Sequence, residues 1–150
     1  MKKEVYEYVK IEDHTLYQFF SYGPKGLIRK LIQFNLVQRI PLIFNLELGK
    51  ALSGNKIDTS SVTDNKDTNK ILLSVTEAII EFLNERREAL VFLEGSTPAR
   101  TRLFQIWIAR IFDQHRGFIS IEGRIKNNWY LFEKGKSFDA FLIKKKNINQ

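Results

Sequence analysis

Cysteine is absent from the 150 residues. That removes disulfides, thiolate metal sites and cysteine nucleophiles. Histidine is nearly as scarce: His14 and His115 are the only two, far apart in the chain and without the close ligand partners of a zinc-protease site, so no metal is expected. No apolar run approaches the roughly 18 residues that span a bilayer. The segment from Met1 to Tyr8 carries charges but no apolar core of a signal peptide. No membrane association is expected, and the cytoplasm is the expected location. The pattern GxxxxGK[ST] is missing, which argues against Walker-type ATP binding, and so is the G-x-S-x-G elbow of hydrolases. No cofactor is expected.

What is present is a globular composition. Hydrophobic residues make up 43% and aromatics 13%, too many for a disordered chain. The length suits a single domain, residues 1–150, able to bury about two-thirds of its extended-chain surface. Charge is uneven. Of 24 basic and 17 acidic residues, the last fifty positions hold 10 basic against 4 acidic, while positions 51–100 are slightly acidic. A basic region attracts polyanions without sequence preference. A solvated basic surface is the alternative reading, and Lys144-Lys145-Lys146 lie close to the end.

Hydrophobic periodicity gives the elements. Residues 14–22 are aromatic-rich and predict a strand. Gly23-Pro24-Lys25-Gly26 signals a turn. Residues 27–34 predict a second, hairpin-paired strand. Ile40, Leu42, Phe44, Leu46 and Leu48 alternate at period two, a third strand, with Pro41 at its start. Residues 53–68 are polar and long for a structureless loop. Asp67 or Thr68 can cap a helix carrying Ile71, Leu72, Val75, Ile79, Phe82 and Leu83, with Arg86 and Arg87 in its last turn. Leu90 to Leu93 is wholly apolar, as in a central strand. A second helix follows Pro98, apolar nearly all round, which implies deep burial; Gly117 closes it. Residues 118–125, 129–132 and 138–144 predict two or three closing strands. The fold class is therefore α/β (α+β): a mixed, mainly antiparallel sheet of about six strands with two helices, order βββαβαββ(β). By analogy, that is also the element order of ribonuclease H-like domains.

The start of the second helix is the most informative stretch. After Glu94, Gly95 turns, a hydroxyl at Ser96 or Thr97 caps, and Pro98 takes the first helical position. Acidic residues favour a helix N-terminus, yet this one carries Arg100 and Arg102. Backbone N–H groups, the hydroxyls of Ser96 and Thr97 and these two guanidinium groups make a pocket suited to phosphate or carboxylate. The structural alternative pairs Arg100 and Arg102 with Glu94, with Glu122 on a neighbouring strand, or with chain carbonyls. Lys25 and Arg29, near the hairpin turn, could support binding, and Tyr17, Phe19, Phe20, Tyr22, Trp129, Tyr130 and Phe132 could stack on bases. Packing inside the fold is the commoner use of such aromatics.

Several blocks resemble a bacterial family of unknown function. They are Tyr17 to Gly23, Asn45 to Gly49, Asn65-Lys66-Asp67, and above all Gly95 to Phe104, similar to a family pattern GSTxARTRLY. The resemblance runs from about residue 15 to 145. It implies no activity, substrate or cofactor. Lys50 replaces an acidic residue of the pattern and Phe104 a tyrosine, so a catalytic role for either group would be missing here.

Three functions fit the residues. The first is binding of an anionic partner, nucleic acid or a phosphorylated ligand, by Ser96, Thr97, Arg100 and Arg102. The second is an enzyme acting on phosphodiesters or nucleotides, such as a toxin-like nuclease of a toxin–antitoxin pair. A two-metal nuclease needs converging carboxylates; among Asp13, Asp58, Asp64, Asp67, Glu77 and Glu94, only Glu94 ends a central strand. The third is a protein-interaction module with structural arginines and a protein partner.

Overall fold

A computed structural model of the chain describes residues 5–11, 15–59 and 64–146. Asp13 and His14, with the start of the strand expected from residue 14, lie outside them. The elements are β1 (Val9–Ile11), β2 (Leu16–Gly23), β3 (Gly26–Arg39), β4 (Leu42–Ala51), β5 (Ile57–Asp58), α1 (Thr68–Glu85), β6 (Leu90–Leu93), α2 (Pro98–His115), β7 (Ile119–Ile125), β8 (Asn128–Leu131) and β9 (Ala140–Lys145). The fold is mixed α+β, with a mostly antiparallel sheet and two helices. The sheet has nine strands among the described residues rather than six. The additions are β1 and β5, of three and two residues, too short to show alternation in the sequence; the rest of the excess is the full set of three closing strands.

The chain divides into two compact units, one from residues 1–35 and 47–82 and the other from residues 36–46 and 83–150. In the first, β1, β2 and β3 pair in chain order as an antiparallel meander, and β5 lies antiparallel on the end of β4. Leu16, Tyr17, Phe19, Ile32 and Phe34 are buried with Leu72, Val75, Ile79 and Phe82 of α1. The rings of Phe34 and Phe82 stack at 4.0 Å, so the helical period and the strand period meet in one core. The first helix ends at Glu85, without a basic residue in its last turn, one residue short of the expected Arg86 and Arg87.

In the second unit β4, β6, β9, β7 and β8 are neighbours in that order. The β4–β6 pair is parallel, Phe44 opposite Val91, while the β6–β9, β7–β9 and β7–β8 pairs are antiparallel. Val91, Leu93, Ile119, Ile121, Phe141 and Ile143 point into the core with Trp107, Ile108 and Ile111 of α2. The expectation of deep burial all round α2 does not hold. Its buried residues are Thr101, Trp107, Ile108 and Ile111, one stripe at helical spacing, and the opposite face leaves Leu103 40% and Ile106 57% exposed.

Candidate functional site

The site expected from the sequence forms at the junction of β6 and α2. Thr97 is the N-cap of α2 in extended backbone, its Oγ1 accepting from the Arg100 N–H at 3.2 Å, and Pro98 opens the helix. Thr101 folds back onto the loop: its Oγ1 accepts from the Gly95 N–H at 3.1 Å and donates to the Thr97 carbonyl at 3.2 Å. The loop passes so close to the helix that a Cβ on Gly95 would lie 2.3 Å from the Thr101 nitrogen. Glycine is required here by space alone. No acidic residue occupies the first turn.

Beside this helix start is a cavity of about 400 Å³, bordered by Glu94, Ser96, Thr97, Arg102, Ser137 and Asp139 among others. Gln105 anchors its far wall, accepting from the Phe138 N–H at 2.8 Å and donating to the Lys136 carbonyl. The two predicted arginines are not equivalent. Arg100 turns back, donating from Nη1 to Ser96 Oγ at 3.1 Å. Arg102 borders the cavity, and among the described residues its guanidinium has no hydrogen bond or ion pair. The two hydroxyls accept from Arg100, and among the described residues that of Thr97 keeps its own O–H for donation. Two N–H groups of the first turn are already satisfied, by Thr97 Oγ1 and by the Thr97 carbonyl, so fewer backbone donors are open than the sequence suggested.

Glu94 is not the partner of either arginine. Glu94 pairs with Arg124 of β7, Oε2 to Nη2 at 2.7 Å, and the same guanidinium donates from Nε to Asp139 Oδ1 at 2.6 Å. These bonds, that to Asp139 foremost, hold the Arg124 pKa above its ordinary value. No ion pair joins Glu122 to Arg100 or Arg102 among the described residues. Both carboxylates at the cavity thus share one guanidinium, which balances one of their two charges and belongs to a residue that sequence reasoning left unassigned. Arg124 also lies over the rings of Phe92 and Trp129, 5.7 and 5.8 Å from their centroids.

Lys25 and Arg29 belong to the first unit. The Lys25 N–H donates to Asn65 Oδ1 at 2.7 Å. The Arg29 guanidinium is engaged by Gln18 Oε1 and by the carbonyls of Leu52 and Gly54. Of the aromatics considered for stacking, Tyr17, Phe19 and Phe132 are buried in the core; Phe20, Tyr22 and Tyr130 are exposed, and Trp129 is half-buried.

A second constellation, also in the first unit, was read from the sequence only in Asp67, as a possible helix cap. Asp67, at the N-cap position of α1, accepts on Oδ2 from Tyr6 OH at 2.6 Å and from Ser21 Oγ at 2.5 Å. Its Oδ1 is buried without a hydrogen bond. Buried Asn65 donates to Ser21 Oγ and to the Gly26 carbonyl, and a Cβ on Gly23 would lie 2.0 Å from the Asn65 carbonyl oxygen. Burial and the bond to Asp67 raise the Tyr6 pKa. This network ties the β2–β3 hairpin to the start of α1. The signal was available, because Ser21, Gly23, Asn65 and Asp67 sit within two of the resemblance blocks.

A family model, described as a family of unknown function (DUF6934), matches residues 2–146. The chain belongs to DUF6934. No curated protein and no solved structure matches the DUF6934 chain. The ribonuclease H analogy therefore rests on element order alone. Of the two departures noted in the sequence, Phe104 lies against Trp107 with ring centroids 6.1 Å apart, and Lys50 is exposed on β4 opposite Asp58. Among the described residues no group of three or more His, Asp and Glu side chains could hold a metal ion, and no helix is long and apolar enough to cross a membrane.

Proposed function

We propose that this chain binds phosphate groups of a nucleotide or nucleic acid in the cavity at the start of α2. Arg102 is the charged contact, the Thr97 hydroxyl is the neutral donor, and Arg100 holds the Ser96–Thr97 turn in place. The observation that carries the reading is the charge arrangement: Arg102 borders the cavity with no hydrogen bond or ion pair among the described residues, while Arg124 pairs with both neighbouring carboxylates and balances one of their two charges. A helix N-terminus adds partial positive charge to the same place. The net basic last third of the chain supports attraction of a polyanion.

The test is fluorescence anisotropy of a labelled single-stranded oligonucleotide at 50 and 200 mM salt. Affinity should fall steeply with salt. Arg102→Ala should weaken binding about tenfold and flatten the salt slope by about 0.7, the value for one lost contact to a single strand. Binding that is indifferent to Arg102→Ala would remove the reading. An interaction module is the second reading, favoured by the exposed Leu103 and Ile106 on α2; it predicts a co-purifying protein lost in Ile106→Glu. The nuclease reading gains nothing from Glu94, whose carboxylate is held by Arg124.

A further inference from the structure

The second unit carries another depression, on the strand faces of β4, β6 and β9. Val37, Ile43, Asn45, Phe92, Trp129 and Leu142 enclose about 380 Å³, within the roughly 300–1,000 Å³ of small-ligand sites. Its walls are almost wholly apolar, and two are aromatic. The Phe92 and Trp129 rings meet edge to face, centroids 6.2 Å apart and planes 72° apart. The polar side chain in the lining is the Asn45 carboxamide. It has no hydrogen-bond partner among the described residues, and neither does the Trp129 Nε1–H. Cations flank the depression. Arg124 lies over both rings, and exposed Lys144 stands two residues beyond Leu142, on the same face of β9.

We propose that this groove receives a base of single-stranded nucleic acid, stacked on Trp129 and read by Asn45. A planar, electron-rich heterocycle fits an aromatic wall because every base has a π-face. A carboxamide offers one acceptor and one donor group, the pattern that matches a base edge bidentately. A phosphate beside a stacked base meets Lys144, while Arg124, held by Glu94 and Asp139, lies over the aromatic wall; a neutral ligand leaves that lysine unused, and an acidic ligand without a ring leaves the aromatic wall unused. An added peptide strand finds no open edge here, since β6 is paired with β4 on one side and β9 on the other. The inference rests on the nucleic-acid reading above, which it narrows to single strands with accessible bases.

The experiment uses the whole chain, a ten-nucleotide single strand, and a strand of equal length and charge built of abasic nucleotides. Trp107 is buried and Trp129 half-buried, so quenching of tryptophan emission reports mainly on the groove. The base-bearing strand should quench and bind at least tenfold tighter than the abasic one. Trp129→Ala should abolish that difference, stacking being a roughly tenfold or larger effect per base. Asn45→Ala, a smaller change that guards against misfolding, should keep binding but level the preference among adenine, guanine, cytosine and uracil strands. Equal binding of both strands, or an unaltered base preference in Asn45→Ala, overturns the groove while leaving phosphate binding at Arg102 intact. Loss of affinity in Trp129→Ala with none in Arg102→Ala overturns the helix site and keeps the groove. No binding of either strand at 50 mM salt overturns both. A dimer by sedimentation that dissociates in Trp129→Ala assigns the groove to a second copy and overturns the proposal.

Discussion

Arg124 borders neither the Ser96–Thr97 turn nor the helix start, yet its removal should weaken anion binding there. A cavity of about 400 Å³ is about 9 Å across if treated as a sphere, so an anion inside it lies within about 9 Å of Glu94 and Asp139. A unit charge at that distance is worth about 2 kcal/mol at an effective dielectric near 20. Mobile ions with a Debye length of about 8–10 Å cut this by more than half. Arg124→Ala removes one positive charge from beside the two carboxylates, so the anion is opposed by about 0.5–1 kcal/mol more, a two- to fivefold loss of affinity. Stability should fall less than the chemistry suggests. Glu94 and Asp139 are about half exposed and Arg124 a quarter, and exposed ion pairs contribute only about 0.2–1 kcal/mol each. At about 2–4 °C per kcal/mol for a chain of this size, the melting temperature should drop by only a few degrees. Arg124→Lys should recover part of the binding, because it keeps the charge but cannot serve both carboxylates at once. The assay is titration with pyrophosphate and with an oligonucleotide, beside thermal unfolding followed by circular dichroism. Wild-type affinity for both ligands in a folded Arg124→Ala protein would refute the electrostatic reasoning.

Four further outcomes follow from the same geometry. Asp67→Asn should lower stability by about 2–3 kcal/mol in urea titrations, since two charge-assisted bonds weaken and an amide N–H₂ takes the buried place of Oδ1; a change below 0.5 kcal/mol (roughly the surface-substitution range) would show the network to be incidental. Tyr6 and Tyr8 both have raised pKa values, first from burial and then from Asp67 and Glu81 respectively. Their protonated forms are thus favoured by folding: the contribution is complete below pH ~10, where unfolded tyrosine ionises, and is lost as pH rises through the folded values. Tyr6→Phe should flatten the decline of the urea midpoint above pH ~10, and parallel curves for the two proteins would contradict it. Gly95→Ala should cost about 1–3 kcal/mol and reduce anion binding together, because the loop must move off Thr101; intact binding would mean that the turn tolerates displacement. Ile106→Gln should leave the melting temperature within about 2 °C, in keeping with a surface position, and a large drop would show that the outer face of α2 is covered.

Much of the scaffold was written in local pattern. The alternation from Leu42 to Leu48 became β4, although Ile40, in phase with it, sits exposed in the preceding turn. The wholly apolar Leu90–Leu93 became a strand paired on both sides. The Thr97–Pro98 start of α2 was legible because capping and the fixed φ of proline are decided within four residues. What escaped depends on partners far along the chain. Glu94, Arg124 and Asp139 meet only because β6, β9 and β7 are adjacent, an order that periodicity does not encode. The same holds for Asp67 with Tyr6 and Ser21. Edge strands β1 and β5 are made by the ladders of their neighbours, Val9 opposite Gln18 and Ala51 opposite Ile57, not by a pattern of their own. The inward stripe of α2 misled for a different reason: apolar residues on both faces leave only a weak amphipathic direction, so packing distinguishes Ile108 from Ile106.

One guanidinium, that of Arg124, touches the carboxylates of one depression and the rings of the other. Sequence changes in the two places cannot be inherited independently. An exchange at Trp129 alters how firmly Arg124 holds Glu94, and an exchange at Asp139 alters the cation above Trp129, so combined variants should depart from the sum of the single ones. In relatives that preserve both depressions, positions 92, 94, 124, 129 and 139 should change as a set.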